Sequence, residues 1–91
     1  MTPGFEFDPA KSAANKAKHG IDFVEAQLVW NDADRVVIVS TYPDESRALT
    51  IGRIAGKMWT VIVTHRAENV RIISARRSRQ EEIDVYQDDH C

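Results

Sequence analysis

The chain has almost no cysteine: of its 91 residues only Cys91, the last, is one. That excludes an internal disulfide and any cysteine-rich metal site, and it fits a reducing compartment. No apolar run approaches the ~18 residues that a membrane-crossing helix needs. The opening stretch, MTPGFEFDPAKS, has neither a basic n-region nor an apolar h-region, so no signal peptide is expected. Glycine is scarce, four in all, and no glycine-rich phosphate loop occurs. No set of His, Asp and Glu has metal-ligand spacing, and the serines lack convincing triad partners. No cofactor and no metal are therefore expected. A helix-turn-helix with a basic recognition helix is also missing, which argues against direct DNA binding by this chain.

What is present is an ordinary globular composition, 43% hydrophobic and 29% charged. Its length fits one domain over residues 1–91, with an ordered core of about 5–87. The net charge of −2 conceals an asymmetry. Residues 1–45 balance to −4 and residues 81–89 to −5, whereas residues 53–79 balance to +6. In that middle stretch Arg53, Lys57, Arg66, Arg71, Arg76, Arg77 and Arg79 face Glu68 alone. A basic centre between acidic flanks is the pattern of a local polyanion site, though charges scatter unevenly in any short chain.

The elements follow from local chemistry. Phe5-Glu6-Phe7-Asp8 alternates as a short strand. Asp8-Pro9 opens a helix that ends at Gly20, with Lys16, Lys18 and His19 in its last turn. Asp22 and Glu25 form a capping box for a second helix, whose apolar face is Phe23, Ala26, Val29 and Trp30. Four strands follow at 35–41, 47–53, 58–65 and 70–76, with turn chemistry at 42–46, 55–57 and 66–69. Their short connections predict an antiparallel meander with 58–65 central. Ser78 and Glu81 read as a capping box for a final helix with Ile83 and Tyr86 as its stripe, and residues 87–91 read as a frayed tail. The order is β-α-α-β-β-β-β-α. Its fold class is α+β: an antiparallel sheet of about four to five strands, two N-terminal helices on one face and a C-terminal helix.

The arginines draw the functional question. On 70–76 strict alternation sends Arg71, Ile73 and Ala75 one way, and Val70, Ile72, Ser74 and Arg76 the other. In a hairpin of 58–65 with 70–76, Arg66 sits at the tip near Arg71, and Arg76 lies beside Met58. The expected cluster is Arg76, Arg77 and Arg79 at the start of the last helix. A guanidinium there either grips phosphate or pairs with Glu81, Glu82 or an acid of the first helices. His65 is either a general acid or base, or a strand-end histidine in a hydrogen bond. Trp59 is either core or a stacking surface for a base.

Two longer stretches carry a resemblance: D-P-x-K-x-x-x-N-x-x-K-H-G-I at 8–21 and R-I-I-S-A-R-R at 71–77. With RALTIGR and VIVTHR between them, the chain from Phe5 to Tyr86 resembles the BrnT family of bacterial type II toxins. Phe7 stands where tryptophan is usual, a change of packing and not of chemistry. The resemblance implies a RelE-like fold and a cytoplasmic, metal-independent RNA endonuclease that cleaves mRNA, free or on the ribosome. It implies attack by the ribose 2′-OH that leaves a 2′,3′-cyclic phosphate. It also implies a BrnA-like ribbon-helix-helix antitoxin, in a 2:2 complex. Arg66, Arg76 and Arg77 become the candidates for charge stabilisation; His65, Lys18 and more remotely Glu25 become those for proton transfer. Arg71, Arg79, Arg53, Lys57 and Trp59 become the RNA-binding candidates. The alternative is a binding module that uses the same basic face without cutting.

Overall fold

A computed structural model describes residues 4–42, 45–66 and 69–88. The middles of the 42–46 and 66–69 turns, the side chain of Arg66 and the last three residues lie outside that description. Strand β1 (Gly4–Glu6) leads into helix α1 (Pro9–His19). Asp8 accepts the Ala10 N–H at 2.8 Å, and Gly20, at φ 84°, returns its N–H to the Lys16 carbonyl. Helix α2 (Phe23–Ala26) opens on the expected reciprocal box of Asp22 and Glu25, then tightens into a 3-10 turn over Gln27–Asn31. The long second helix read from the sequence is thus one α turn and one 3-10 turn. Its four apolar residues still face inward.

Strands β2 (Val36–Tyr42), β3 (Glu45–Ile54), β4 (Lys57–Arg66) and β5 (Asn69–Arg77) form the antiparallel meander. β1 adds to it in parallel, beside Asn69–Arg71 of β5. The sheet is therefore mixed, in the order β1-β5-β4-β3-β2, with β4 at its centre. Edge strand β2 leaves Val37 and Val39 exposed. Helix α3 (Gln80–Asp88) closes the chain. Among the described residues no helix is long and apolar enough to cross a membrane.

The core joins Ile21, Phe23, Ala26 and Val29 to Val61, Val63, Val70, Ile72 and Ala75. Phe5 and Phe7 pack edge-on against Trp30 and Phe23. Each large apolar side chain buried this way contributes about 1.5–3 kcal/mol. The other sheet face, which carries Ile51 and Thr60 in register, is covered at one end by α3.

Strict alternation along β5 fails. Ile62 pairs with Ser74 but Val63 pairs with Ile72, so Ile73 is an extra, bulged residue. The bulge moves Ala75 into the core with Val70 and Ile72, where alternation had set it against them. It also puts Arg77 across from Trp59, and Arg76 across from Thr60 on the opposite face.

β1 ends at Glu6, leaving the edge of β5 beyond Arg71 without a neighbouring strand. There the buried Asn15 amide substitutes for one. It donates to the Ala75 carbonyl at 2.9 Å and accepts the Ala75 N–H at 3.3 Å, and it also donates to the Ile21 carbonyl at 2.8 Å.

Candidate functional site

The start of α3 is built around one carboxylate. Glu82, 7% exposed, accepts both Nη1 and Nη2 of Arg76 at 2.8 Å. It also accepts the Arg79 N–H at 2.7 Å and the Thr60 hydroxyl at 3.0 Å. Burial pushes the Glu82 carboxyl up, but the Arg76 guanidinium, the Arg79 N–H and the Thr60 hydroxyl outweigh it and hold the group at about 2. The expected capping box is therefore displaced by one residue. Arg79 occupies the cap position and Glu82, not Glu81, reaches back to it, while the Ser78 hydroxyl lies 2.8 Å from Thr60 Oγ1. The reason is tertiary: Thr60 and Arg76 present their polar groups to Glu82, and Glu81 stays exposed.

Arg77 points the other way. Its guanidinium lies 5.4 Å from the centre of the Trp59 ring, and its Nε donates to the Met58 carbonyl at 3.3 Å. Both contacts leave the side chain exposed. Arg79 is exposed one step beyond, and Lys57 and Arg53 flank the β3–β4 turn at the same end of the sheet. Arg53 lies over Tyr86, whose hydroxyl donates to Asp32 at 2.9 Å. Trp59 is partly buried against the core, so it serves both as core and as the surface under Arg77.

The other candidates lie elsewhere. His65 is exposed opposite Val70, five residues along β4 from Thr60 and hence ~17 Å from the Arg76 level. Arg66 pairs with Asn69 through the backbone at the hairpin tip, and Arg71 extends toward Glu6 at 3.9 Å. Lys18 is exposed near the end of α1, beside Ser74. Glu25 is engaged by Lys16 at 2.6 Å and by the Asp22 N–H at 3.0 Å. So Arg76, Arg77, Arg79, Arg53, Lys57 and Trp59 share one end of the sheet, and His65, Arg66 and Arg71 share the other. Among the described residues no group of three His, Cys, Asp or Glu side chains comes together to hold a metal.

Sequence reasoning did not single out Glu82 as the hub, because its signal is a tertiary one. It also passed over Lys11, whose spacing of seven from Lys18 along α1 was available to be read.

These features define an α+β domain with a mixed sheet, helices on both faces and an exposed cationic sheet end. The chain belongs to the BrnT family, the ribonuclease toxins of type II toxin–antitoxin systems, whose family model matches residues 7–82. A search of curated proteins returns no match.

Proposed function

We propose that the chain is the toxin of a type II pair that cuts mRNA at the sheet end carrying Arg77. In that reaction the ribose 2′-oxygen attacks the adjacent phosphorus and its proton passes to a base. The P–O5′ bond breaks, and O5′ takes a proton to leave a 5′-OH opposite a 2′,3′-cyclic phosphate. No metal is required where guanidinium groups neutralise the phosphorane charge. The observation that carries the assignment is the exposed Arg77 guanidinium, fixed over Trp59 and beside Arg79, on a chain of a ribonuclease-toxin family. A base can stack at the Arg77–Trp59 pair while Arg79 and Lys57 follow the phosphates, and Arg53 lies on the opposite face over Tyr86.

Arg76 takes a different part. Its two terminal nitrogens are both committed to Glu82, so it holds the strand-to-helix junction from which Arg77 and Arg79 project. His65 is too far along β4 to share a phosphate with Arg77. An antitoxin of the BrnA-like ribbon-helix-helix type, in a 2:2 complex in the bacterial cytoplasm, would neutralise the basic end by charge complementarity.

The test is purified chain, an mRNA transcript and a chelator, with the product ends mapped. Cleavage leaving 5′-OH ends, abolished by Arg77→Ala in a protein that melts like the parent, is the expected result. Binding without cleavage refutes the enzyme reading and leaves a binding module.

A further inference from the structure

A second basic feature lies away from the Arg77 end. Where β1 stops pairing, α1 and the bulged part of β5 enclose an open cleft of about 190 Å³. Its walls include Lys11, Lys18, His19, Ile73 and Ser74, with Asn15 among them, and none of its lining residues is acidic. In a chain of net charge −2 that composition is selective.

Helix stability does not account for it. Cations in the last turn of a helix offset its dipole, which explains Lys18 and His19 as readily as a ligand would. Lys11 is different, because it stands in the first turn, where the dipole disfavours a cation, while the Asp8 cap before that turn is engaged by the Ala10 N–H. Seven residues apart, Lys11 and Lys18 fall on one stripe, about 10 Å apart along the axis. Lys16, on another stripe, is neutralised by Glu25, whereas among the described residues no ion pair is formed by Lys11 or Lys18. The bulge leaves Ile73 partly exposed as an apolar ledge below the cations.

We propose that this cleft is a phosphodiester subsite for single-stranded RNA, with Lys11 and Lys18 gripping the backbone and Ile73 supporting the adjoining nucleoside. The inference rests on the reading of the chain as an RNA-cutting toxin. It extends the substrate track along β5 beyond Arg71, where the Asn15 amide, and no strand, meets the backbone. Ile73 and Arg77 are four residues apart on that strand, ~13 Å, so one strand of RNA lying along the edge reaches both. Lys18 then holds substrate and does not move a proton.

The experiment uses the full chain and a short 2′-O-methyl oligoribonucleotide, which binds but cannot be cut, followed by anisotropy at several salt concentrations. Lys11→Ala with Lys18→Ala should weaken binding roughly tenfold and flatten the slope of log affinity against log salt by about 1.4, two contacts' worth for a single strand. Both side chains are exposed, so circular dichroism should match the parent. With a cleavable RNA, the same pair should raise KM and leave kcat nearly intact. An unchanged slope, or a kcat lost at saturating RNA, overturns the subsite, whatever the pair does to capture of an acidic protein partner. Cleavage lost in Arg77→Ala alongside unchanged binding in the lysine pair would overturn this subsite and leave the wider reading standing. A parent chain that binds no RNA overturns both.

Discussion

Replacing Arg76 with alanine tests its assignment as a structural arginine, held by Glu82, against the functional role proposed for Arg77. In the parent Glu82 is 7% exposed, and the substitution leaves its carboxylate with the Thr60 hydroxyl and the Arg79 N–H but no cation. Losing one partner of a buried pair costs about 3–5 kcal/mol. Here the Arg76 side chain keeps 17% exposure, and water can partly replace it, so about 2–4 kcal/mol is expected. For a domain of this size each kcal/mol lowers Tm by roughly 4–8 °C. The cost also has a pH signature. The Glu82 carboxyl sits at about 2 in the fold against a reference of 4.5. A depressed carboxyl contributes stability that is complete above its unfolded value and lost as pH falls through the folded one. Up to about 3 kcal/mol therefore disappears between roughly pH 5 and pH 2 in the parent. Urea unfolding of both proteins across that range measures the two effects together. Arg76→Ala should be less stable at pH 7, with its acid limb flattened so that the two curves converge near pH 2. A variant within about 0.5 kcal/mol of the parent at pH 7, with the same acid limb, would refute the assignment of Arg76 to the junction.

Arg77→Ala removes only a cation–π contact and one long hydrogen bond, so its stability should fall by about 1 kcal/mol or less while RNA cleavage disappears; matched urea melts and cleavage assays check the pair of outcomes. Ala55 adopts φ 50° beside Gly56 at 81°, a two-residue hairpin turn that asparagine tolerates better than alanine. Ala55→Asn should therefore stabilise the chain by about 0.5–1 kcal/mol, read as a raised Tm. Gly52 is a packing glycine: a Cβ there would stand 2.7 Å from Val29 Cγ1 and 3.3 Å from the Val29 carbonyl. Gly52→Ala should cost about 1–3 kcal/mol, and its cost combined with that of Val29→Ala in a double variant should be less than the sum of the two singles in urea unfolding.

Where a signal is local, the sequence carries it. Asp8, Pro9 and Gly20 bound α1 because capping and left-handed geometry act within a few residues. The Asp22–Glu25 box is equally local and forms as read. Alternation with short connections was enough for the meander and for the central place of β4. The parallel seat of β1 beside β5 was not legible, since nothing in three residues says which edge they join. Nor was the bulge at Ile73, because an extra residue has no signature when its neighbours, Ile72 and Ser74, are compatible with either face.

The site shows the same division more sharply. Composition located the cationic stretch 53–79, and a count of charges cannot say which of them are already neutralised. Arg76 and Arg77 are adjacent and chemically identical, yet strand geometry sends one to Glu82 and the other over Trp59. Alternation alone predicts that they part. What decides which becomes the anchor is the residue opposite each: Thr60 completes a polar pocket with α3, and Trp59 offers a ring at the open end. On the proposed reading, Arg76 is withdrawn to Glu82 to fix the junction from which Arg77 and Arg79 project. Without the Arg76–Glu82 clamp the start of α3 would keep its backbone link from Ser78 to Met58 but lose its two charged hydrogen bonds to β5. Adding a carboxylate near Arg77 should therefore damage RNA binding far more than adding one near Arg76, which already has its own.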